Sequence, residues 1–210
     1  MTNYHYWQYF LSLETDLITT SRYIEFSGVN DSAVENNNDK TFSTELLRIL
    51  FAACAECENI LKNLTGLDSN ITGLQNAIMN SHYSTLSNQS IFCPAHNLNF
   101  TPWESWNEPN TSPQWWKDHN AVKHGRANDT NSNYHLANVF NTLSSVAALM
   151  CLLFEYYKTK QDGDEGETVI KYRVTLPITL APKFFIPKES GSGFDDDMYW
   201  TWVWQPTGLF

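Results

Sequence analysis

Two long stretches of the sequence repeat apolar residues with the period of an α-helix, and they limit the possible fold more than any other feature. The first follows Ser43, a good N-cap residue, and ends near Gly66, which favours the backbone conformation that closes a helix. The second covers residues 134–157. The two inward faces consist of Leu46, Ile49, Leu50, Ala53, Cys57, Ile60, Leu61 and Leu64, and of Leu136, Val139, Phe140, Leu143, Val146, Ala147, Met150, Leu153 and Phe154. Since each face must be buried against another element, the sequence predicts a mainly α protein built as a helical bundle.

Three further helices are expected around these two. An apolar stripe predicts a helix over residues 4–26, and shorter helices are expected over residues 72–83 and 113–125. Ser112 followed by Pro113 is a strong start signal for the last of these. Residues 90–103 contain two Pro and two Asn, which exclude a long helix. We therefore expect a short irregular or β insertion there, either a hairpin or an ordered loop.

The sequence divides near residue 160. Residues 1–160 are predicted to form the helical domain, and residues 161–210 a C-terminal extension with some β-branched alternation. Near its end, Trp200, Trp202 and Trp204 alternate with smaller residues, which indicates a strand or extended arm with all three indoles on one face. An exposed face of this kind would be adhesive, so we expect the extension to pack on the bundle or on a partner subunit.

The charge balance excludes one broad class of function. A formal net charge of −10 argues against sequence-independent nucleic-acid binding, which relies on Lys and Arg to neutralise phosphates. A small, locally basic site is still compatible with this total, because the run from Trp115 to Arg126 has a positive formal charge.

The sequence shows neither a signal-peptide pattern nor an apolar run of about 18 residues, so we expect a cytoplasmic protein with no membrane span.

Cys54 and Cys57 form a C-x-x-C pair, which can indicate a metal or redox site. No second pair follows, the other two cysteines are scattered, and this pair lies inside the predicted second helix. Burial as small apolar core residues is therefore the favoured interpretation. The histidines show no metal-ligand spacing, and we expect neither a metal nor a cofactor.

The predicted helix over residues 113–125 has an unusual polar stripe. Helical spacing places Trp116, Asn120, Lys123 and His124 on one face, where Leu, Ile or Val would be usual. Buried polar groups need partners, so this face is either the rim of a site or the centre of a polar network.

Glu56 is the acid that could meet this polar stripe. It lies on or beside the apolar face of the second helix, where an unpaired carboxylate would be costly. One interpretation is an ion pair with Arg22, Lys123 or Arg126. The alternative is that Glu56 lies at the edge of the stripe and reaches water.

Several segments together resemble a bacterial HEPN-like helical protein. They are SRYIEF, FSTELLRILFAACAECENILK, TPWESW, WWKDHNAVKHGR and LANVFNTLSSVAALMCLLFEYY, within residues 4–158. The most specific part is the run containing Asn120, Lys123, His124 and Arg126. The resemblance implies a helical bundle that forms a homodimer and a link to RNA in phage-defence or toxin–antitoxin systems. Many members of the family are metal-independent ribonucleases.

The catalytic pattern of the active HEPN ribonucleases does not fit this chain. That pattern has an Arg followed by a His four to six residues later, whereas here His124 precedes Arg126 and the next histidine is His135. We therefore expect a non-catalytic interaction or regulatory domain with a structural polar network. The alternative is an endoribonuclease in which His124 acts as acid or base, Arg126 and Lys123 stabilise phosphate charge, and Asn120 and Glu56 orient the reacting groups.

Overall fold

Helices dominate the structure, which confirms the mainly α class expected from the sequence. The structure is a computed structural model that describes residues 4–26, 28, 38–125, 133–157, 159–161, 171–173 and 182–187. Within these ranges the α-helices are α1 (His5–Thr20), α2 (Thr44–Thr65), α3 (Ile71–Met79), α4 (Gln114–Gly125) and α5 (Val139–Tyr157). The HEPN-like form of the bundle stays a prediction.

Helix α5 is the centre of the fold. Almost every one of its residues is buried, and it packs against α1, α2 and α4. Its closest partner is α2, where the Thr142 hydroxyl donates to the Leu46 carbonyl and the Cys57 thiol to the Ser145 carbonyl. By length and composition α5 is also apolar enough to cross a membrane, but 89% of that stretch is buried inside the protein. Burial of this kind is what a core helix of a globular domain shows.

The predicted short β insertion is a hairpin. Strand β1 (Ile91–Cys93) pairs antiparallel with β2 (Leu98–Phe100), and Asn97 at the turn adopts a φ of 53°. Strands β3 (Thr159–Gln161) and β4 (Lys171–Arg173) form a separate antiparallel pair. The short strand β5 (Ile186–Pro187) joins the other side of β1, which gives a sheet in the order β2-β1-β5.

Three helix boundaries differ from those predicted. Helix α3 ends at Met79 rather than near residue 83, and a separate 3₁₀ helix (Ser84–Asn88) follows it. Helix α1 ends at Thr20 rather than near Phe26, and the hydroxyls of Thr19, Thr20 and Ser21 bond to carbonyls three or four residues back. Such bonds compete with continuation of the helix. Helix α5 begins at Val139 because residues 133–136 form a 3₁₀ turn.

Part of the C-terminal extension packs on the body of its own chain. The carboxylate of Glu14, in α1, accepts hydrogen bonds from the backbone N–H groups of Lys183, Phe184 and Phe185 at 2.8, 2.7 and 3.1 Å. Burial raises the pKa of Glu14, while the three N–H groups act in the opposite direction. The division into domains at residue 160 stays a prediction, and the arm with Trp200, Trp202 and Trp204 lies outside the described residues.

Candidate functional site

Helix α4 presents a different face to the core from the one predicted. Its buried residues are Trp115, Trp116, His119 and Val122. Lys123 and His124 are exposed, Asn120 is half-buried, and Arg126 lies outside the described residues. The prediction that a stripe of Asn120, Lys123 and His124 points inward is therefore wrong for Lys123 and His124.

The phase of α4 follows from the relative cost of burying each side chain. Trp115, His119 and Val122 lie at helical spacing and can be buried with no charged group among them, because an imidazole can stay neutral. The predicted stripe would instead have buried the ammonium group of Lys123, which is costly without a paired carboxylate. The rotation of the helix thus leaves its cationic groups in water.

Glu56 does not meet α4. The carboxylate is half-buried, hydrogen-bonds the side chain of Asn59, and has His5 and Tyr6 of α1 as electrostatic neighbours. Burial raises the pKa of Glu56. The proposed ion pair with Arg22 is also absent from the described ion pairs, and the edge-of-stripe interpretation fits this placement.

The polar link between α4 and the core is made by Asp118. Its carboxylate accepts hydrogen bonds from the Asn141 amide at 2.8 Å and from the Gln114 amide at 2.9 Å. Asn141 is buried in α5, and its amide also donates to the Leu136 carbonyl at 2.8 Å. A polar contact between α4 and the core therefore exists, but it uses residues that the helical pattern did not single out.

His119 is the imidazole that α4 buries. Its ring meets Phe51 edge-on with centroids 4.8 Å apart, and Trp116 lies 5.5 Å away. Desolvation lowers the pKa of His119 to about 4, and the charge of Lys123 acts in the same direction. Within the described part of the chain, its Nδ1 atom has no hydrogen-bond partner. The side chain is thus held neutral at pH 7, next to the exposed basic end of the helix.

Tryptophan side chains hold the start of α4 on the bundle. The Trp115 indole donates to the Pro102 carbonyl at 2.9 Å, and the Trp103 indole donates to the Ala148 carbonyl of α5 at 3.1 Å. Trp103 and Trp106 are fully buried and their rings are in contact. These contacts tie residues 102–116 to the central helix and fix where the exposed end of α4 emerges.

An open pocket of about 410 Å³ lies beside the start of α2. Its described lining consists of Phe42, Ser43, Thr44, Leu47 and Tyr134. Phe42 is 53% exposed, although its backbone is paired with Asn138 just before α5. The volume is in the range of ordinary ligand sites. In the sequence, Phe42 and Leu47 stand on either side of Ser43 at the spacing of a hydrophobic staple, which predicts a local contact but not an open pocket.

The four cysteines are buried and are thiols rather than disulfides. All four have a raised pKa because they are desolvated, and the thiol of Cys93 reaches about 11. Cys54 and Cys57 lie fully buried in α2, which confirms their predicted role in the core. Among the residues that the structure describes, no group of three or more His, Cys, Asp or Glu side chains is arranged to hold a metal ion.

No protein-family model, no curated protein and no solved structure matches this chain. The resemblance to HEPN-like proteins is therefore supported by the sequence motifs alone.

Proposed function

We propose that this chain is a non-catalytic helical interaction domain of the HEPN-like type. The supporting observation is the pocket beside α2, where Phe42 stays 53% exposed next to Leu47 and Tyr134. Apolar surface left uncovered around a concave site is typical of a place where another molecule binds. The HEPN-like motifs make a second copy of the chain the first partner to test.

The positions of the predicted catalytic residues also support a binding role. Glu56 faces α1, whereas Lys123 and His124 extend into water at the end of α4. Acid–base chemistry requires its groups within hydrogen-bond reach of one reacting centre. The described thiols are buried and protonated at pH 7, so they supply no nucleophile.

Sedimentation of the purified chain tests the interaction role. We expect a homodimer whose dissociation constant rises at least about tenfold in Phe42→Ser, because the loss of a buried aromatic anchor commonly costs that much. Tyr23→Ser is the matched control, since Tyr23 is 85% exposed and lies outside the pocket lining. A chain that stays monomeric at 100 μM (~10⁻⁴ M, a weak contact), or an equal effect of both variants, would contradict the proposal.

One observation favours the alternative of a metal-independent endoribonuclease. Lys123 and His124 are both exposed at the end of α4, and neither forms an ion pair with a described residue. They would give a basic surface that a phosphate could reach, and Arg126 follows them in the sequence.

An RNA cleavage assay in the presence of EDTA separates the two functions. We expect no cleavage by the wild-type chain. The double variant Lys123→Ala/His124→Ala is compared with Lys117→Ala/His135→Ala, which removes one exposed Lys and one exposed His elsewhere. Cleavage by the wild type and by the control pair, lost only in the first variant, would establish the nuclease and overturn the non-catalytic role.

A further inference from the structure

Residues 182–187 bind to the body of the protein in the way that an extended peptide binds to a receptor. One carboxylate, that of Glu14, accepts hydrogen bonds from three successive backbone N–H groups. The side chain of Glu14 is only 2% exposed, so these bonds form away from bulk water. Hydrogen bonds from N–H groups to an ionised carboxylate are stronger than neutral ones, and this group of three fixes the position of the segment along α1.

Two aromatic side chains anchor the same segment. Phe184 is 3% exposed and contacts the rings of Phe26 and His96, with centroids 6.1 and 5.4 Å away. Phe185 is fully buried and meets Phe100 of β2 at 6.2 Å. Large aromatic residues in desolvated pockets supply most of the binding energy at protein interfaces.

Backbone pairing completes the contact. In β5, Ile186 and Pro187 lie opposite Phe92 and Ile91 of β1, so the segment adds a third strand to the hairpin. Addition of an extended segment to a sheet edge is a common mode of peptide recognition, in which main-chain bonds give affinity and side-chain pockets give specificity. All three kinds of contact come from this one short stretch of the chain.

We propose that the groove formed by Glu14, Phe26, His96, Phe100 and β1 also accepts residues 182–187 of a second copy, so that two copies exchange these segments. A swapped segment would make the same contacts as the chain's own, and only the connection through residues 158–181 would change. A second copy is the occupant because its sequence carries the required aromatic pair and the same three backbone N–H groups that Glu14 binds. The chain's own segment competes at a local concentration on the order of millimolar, so exchange is expected at high protein concentration or when the internal contact is weakened.

A complementation experiment tests this exchange. One full-length chain carries Glu14→Gln, which weakens the groove but leaves the segment intact. The other carries Phe184→Ala/Phe185→Ala, which weakens the segment but leaves the groove intact. Neither chain can form the internal contact well, whereas the intact segment of the first fits the intact groove of the second. Native mass spectrometry of the mixture at 100 μM (~10⁻⁴ M, below the local concentration) should show at least about ten times more mixed dimer than either same-chain dimer.

The matched control combines all three substitutions in one chain. Mixed with the Phe184→Ala/Phe185→Ala chain, it provides no intact segment, and the mixed dimer should fall to the level of the same-chain dimers. Circular dichroism checks that each variant keeps its helical content. If Glu14→Gln fails to fold, a labelled peptide of residues 180–189 replaces it and should bind the Phe184→Ala/Phe185→Ala chain at least about tenfold more tightly than the wild type, whose groove is filled.

Two results would overturn the exchange: mixed dimer no more abundant than same-chain dimers with both variants folded, or equal peptide binding by the emptied and filled chains. The Phe42 pocket contributes no residue to this groove. Both chains of the complementation pair therefore also carry Phe42→Ser, so that dimers formed through the pocket do not add to either dimer signal. Loss of association in Phe42→Ser alone tests the proposed function, and the complementation pair in this background tests the exchange.

Discussion

His119 shows how one buried side chain can make the free energy of unfolding depend on pH. Its ring lies between Phe51 and Trp116, and desolvation lowers its pKa to about 4. The unfolded chain has an ordinary histidine with a pKa near 6.5. Between these two values the unfolded state binds a proton that the folded state does not, so the free energy of unfolding falls as the pH is lowered through this window.

We therefore predict that His119 makes the protein less stable in mild acid. Between pH 7 and pH 5.5 its contribution to the free energy of unfolding should fall by about 1 kcal/mol. Urea unfolding at the two pH values measures this, and His119→Phe should remove that part of the pH dependence. Val122→Ala, a substitution at another buried position of the same helix that removes no titratable group, should lower the free energy of unfolding at both pH values and leave its pH dependence as it is in the wild type. Equal pH dependence in His119→Phe and the wild type would contradict the assignment.

At the level of elements, α2 could be predicted from the sequence almost completely. The Ser43 side chain accepts from the Leu46 N–H at 3.1 Å, and Gly66 closes the helix with a φ of 68°. The apolar stripe is buried as expected, except that Leu64 near its end is only half-buried. A strong cap and seven or more apolar residues in phase leave a helix only one orientation.

The orientation of α4 could not be predicted in the same way. Trp115, Trp116, His119 and Val122 define one possible inward face, and Trp116, Asn120, Lys123 and His124 define another. With few apolar residues, the choice depends on contacts made elsewhere, such as the Asp118–Asn141 hydrogen bond. The candidate site built on Glu56 depended on that choice, as did the inward placement of Lys123.

The contact between Glu14 and residues 183–185 joins segments too far apart in sequence for any local pattern to indicate it.

The N-cap of α2 gives a prediction at this scale. Ser43→Ala should lower the free energy of unfolding by about 1 kcal/mol, because the Leu46 N–H loses its acceptor. Thr44→Ala, one residue along and exposed, is the control and should change it by less than about half as much. Thermal or urea unfolding measures both. Equal effects of the two substitutions would mean that the Ser43 hydroxyl does not act as a cap.

The C-terminal end of α2 gives a second prediction about the stability of this helix. Gly66 has a φ of 68°, and a Cβ atom placed there would have no neighbour within 4 Å. Gly66→Ala should therefore cost about 1 kcal/mol through backbone strain alone. Gly66→Asn should cost less, because Asn tolerates the left-handed conformation better. If Ala and Asn destabilise equally in urea unfolding, backbone strain is not the cause.

On the scale of the whole molecule, the four thiols report on cooperative opening. Every cysteine is buried, and three of them lie in α2 and α5, the closest pair of helices. We predict that a thiol reagent such as dithionitrobenzoate leaves the native chain unmodified at pH 7.5 and labels all four thiols in denaturant. Rapid labelling of Cys54, Cys57 or Cys151 in the native chain would contradict the buried α2–α5 core. Slow labelling that follows the fraction unfolded would instead measure the stability of that core.

The packed indoles also give the molecule an optical signature. The ring centroid of Trp103 lies 4.4 Å from that of Trp106 and 5.2 Å from that of Trp115, and the centroids of Trp115 and Trp116 are 5.8 Å apart. The planes of the rings in each pair are inclined by 54° or more. Chromophores so close and so inclined couple their electronic transitions, and the coupling appears as intense bands in the near-ultraviolet circular dichroism spectrum. Only the Trp103–Trp115 pair joins α4 to the segment that binds α5, so the part of the signal that this pair contributes should vanish whenever α4 detaches, even while the remaining helices persist. Near-ultraviolet circular dichroism can thus report whether α4 is docked on the bundle, without an added label.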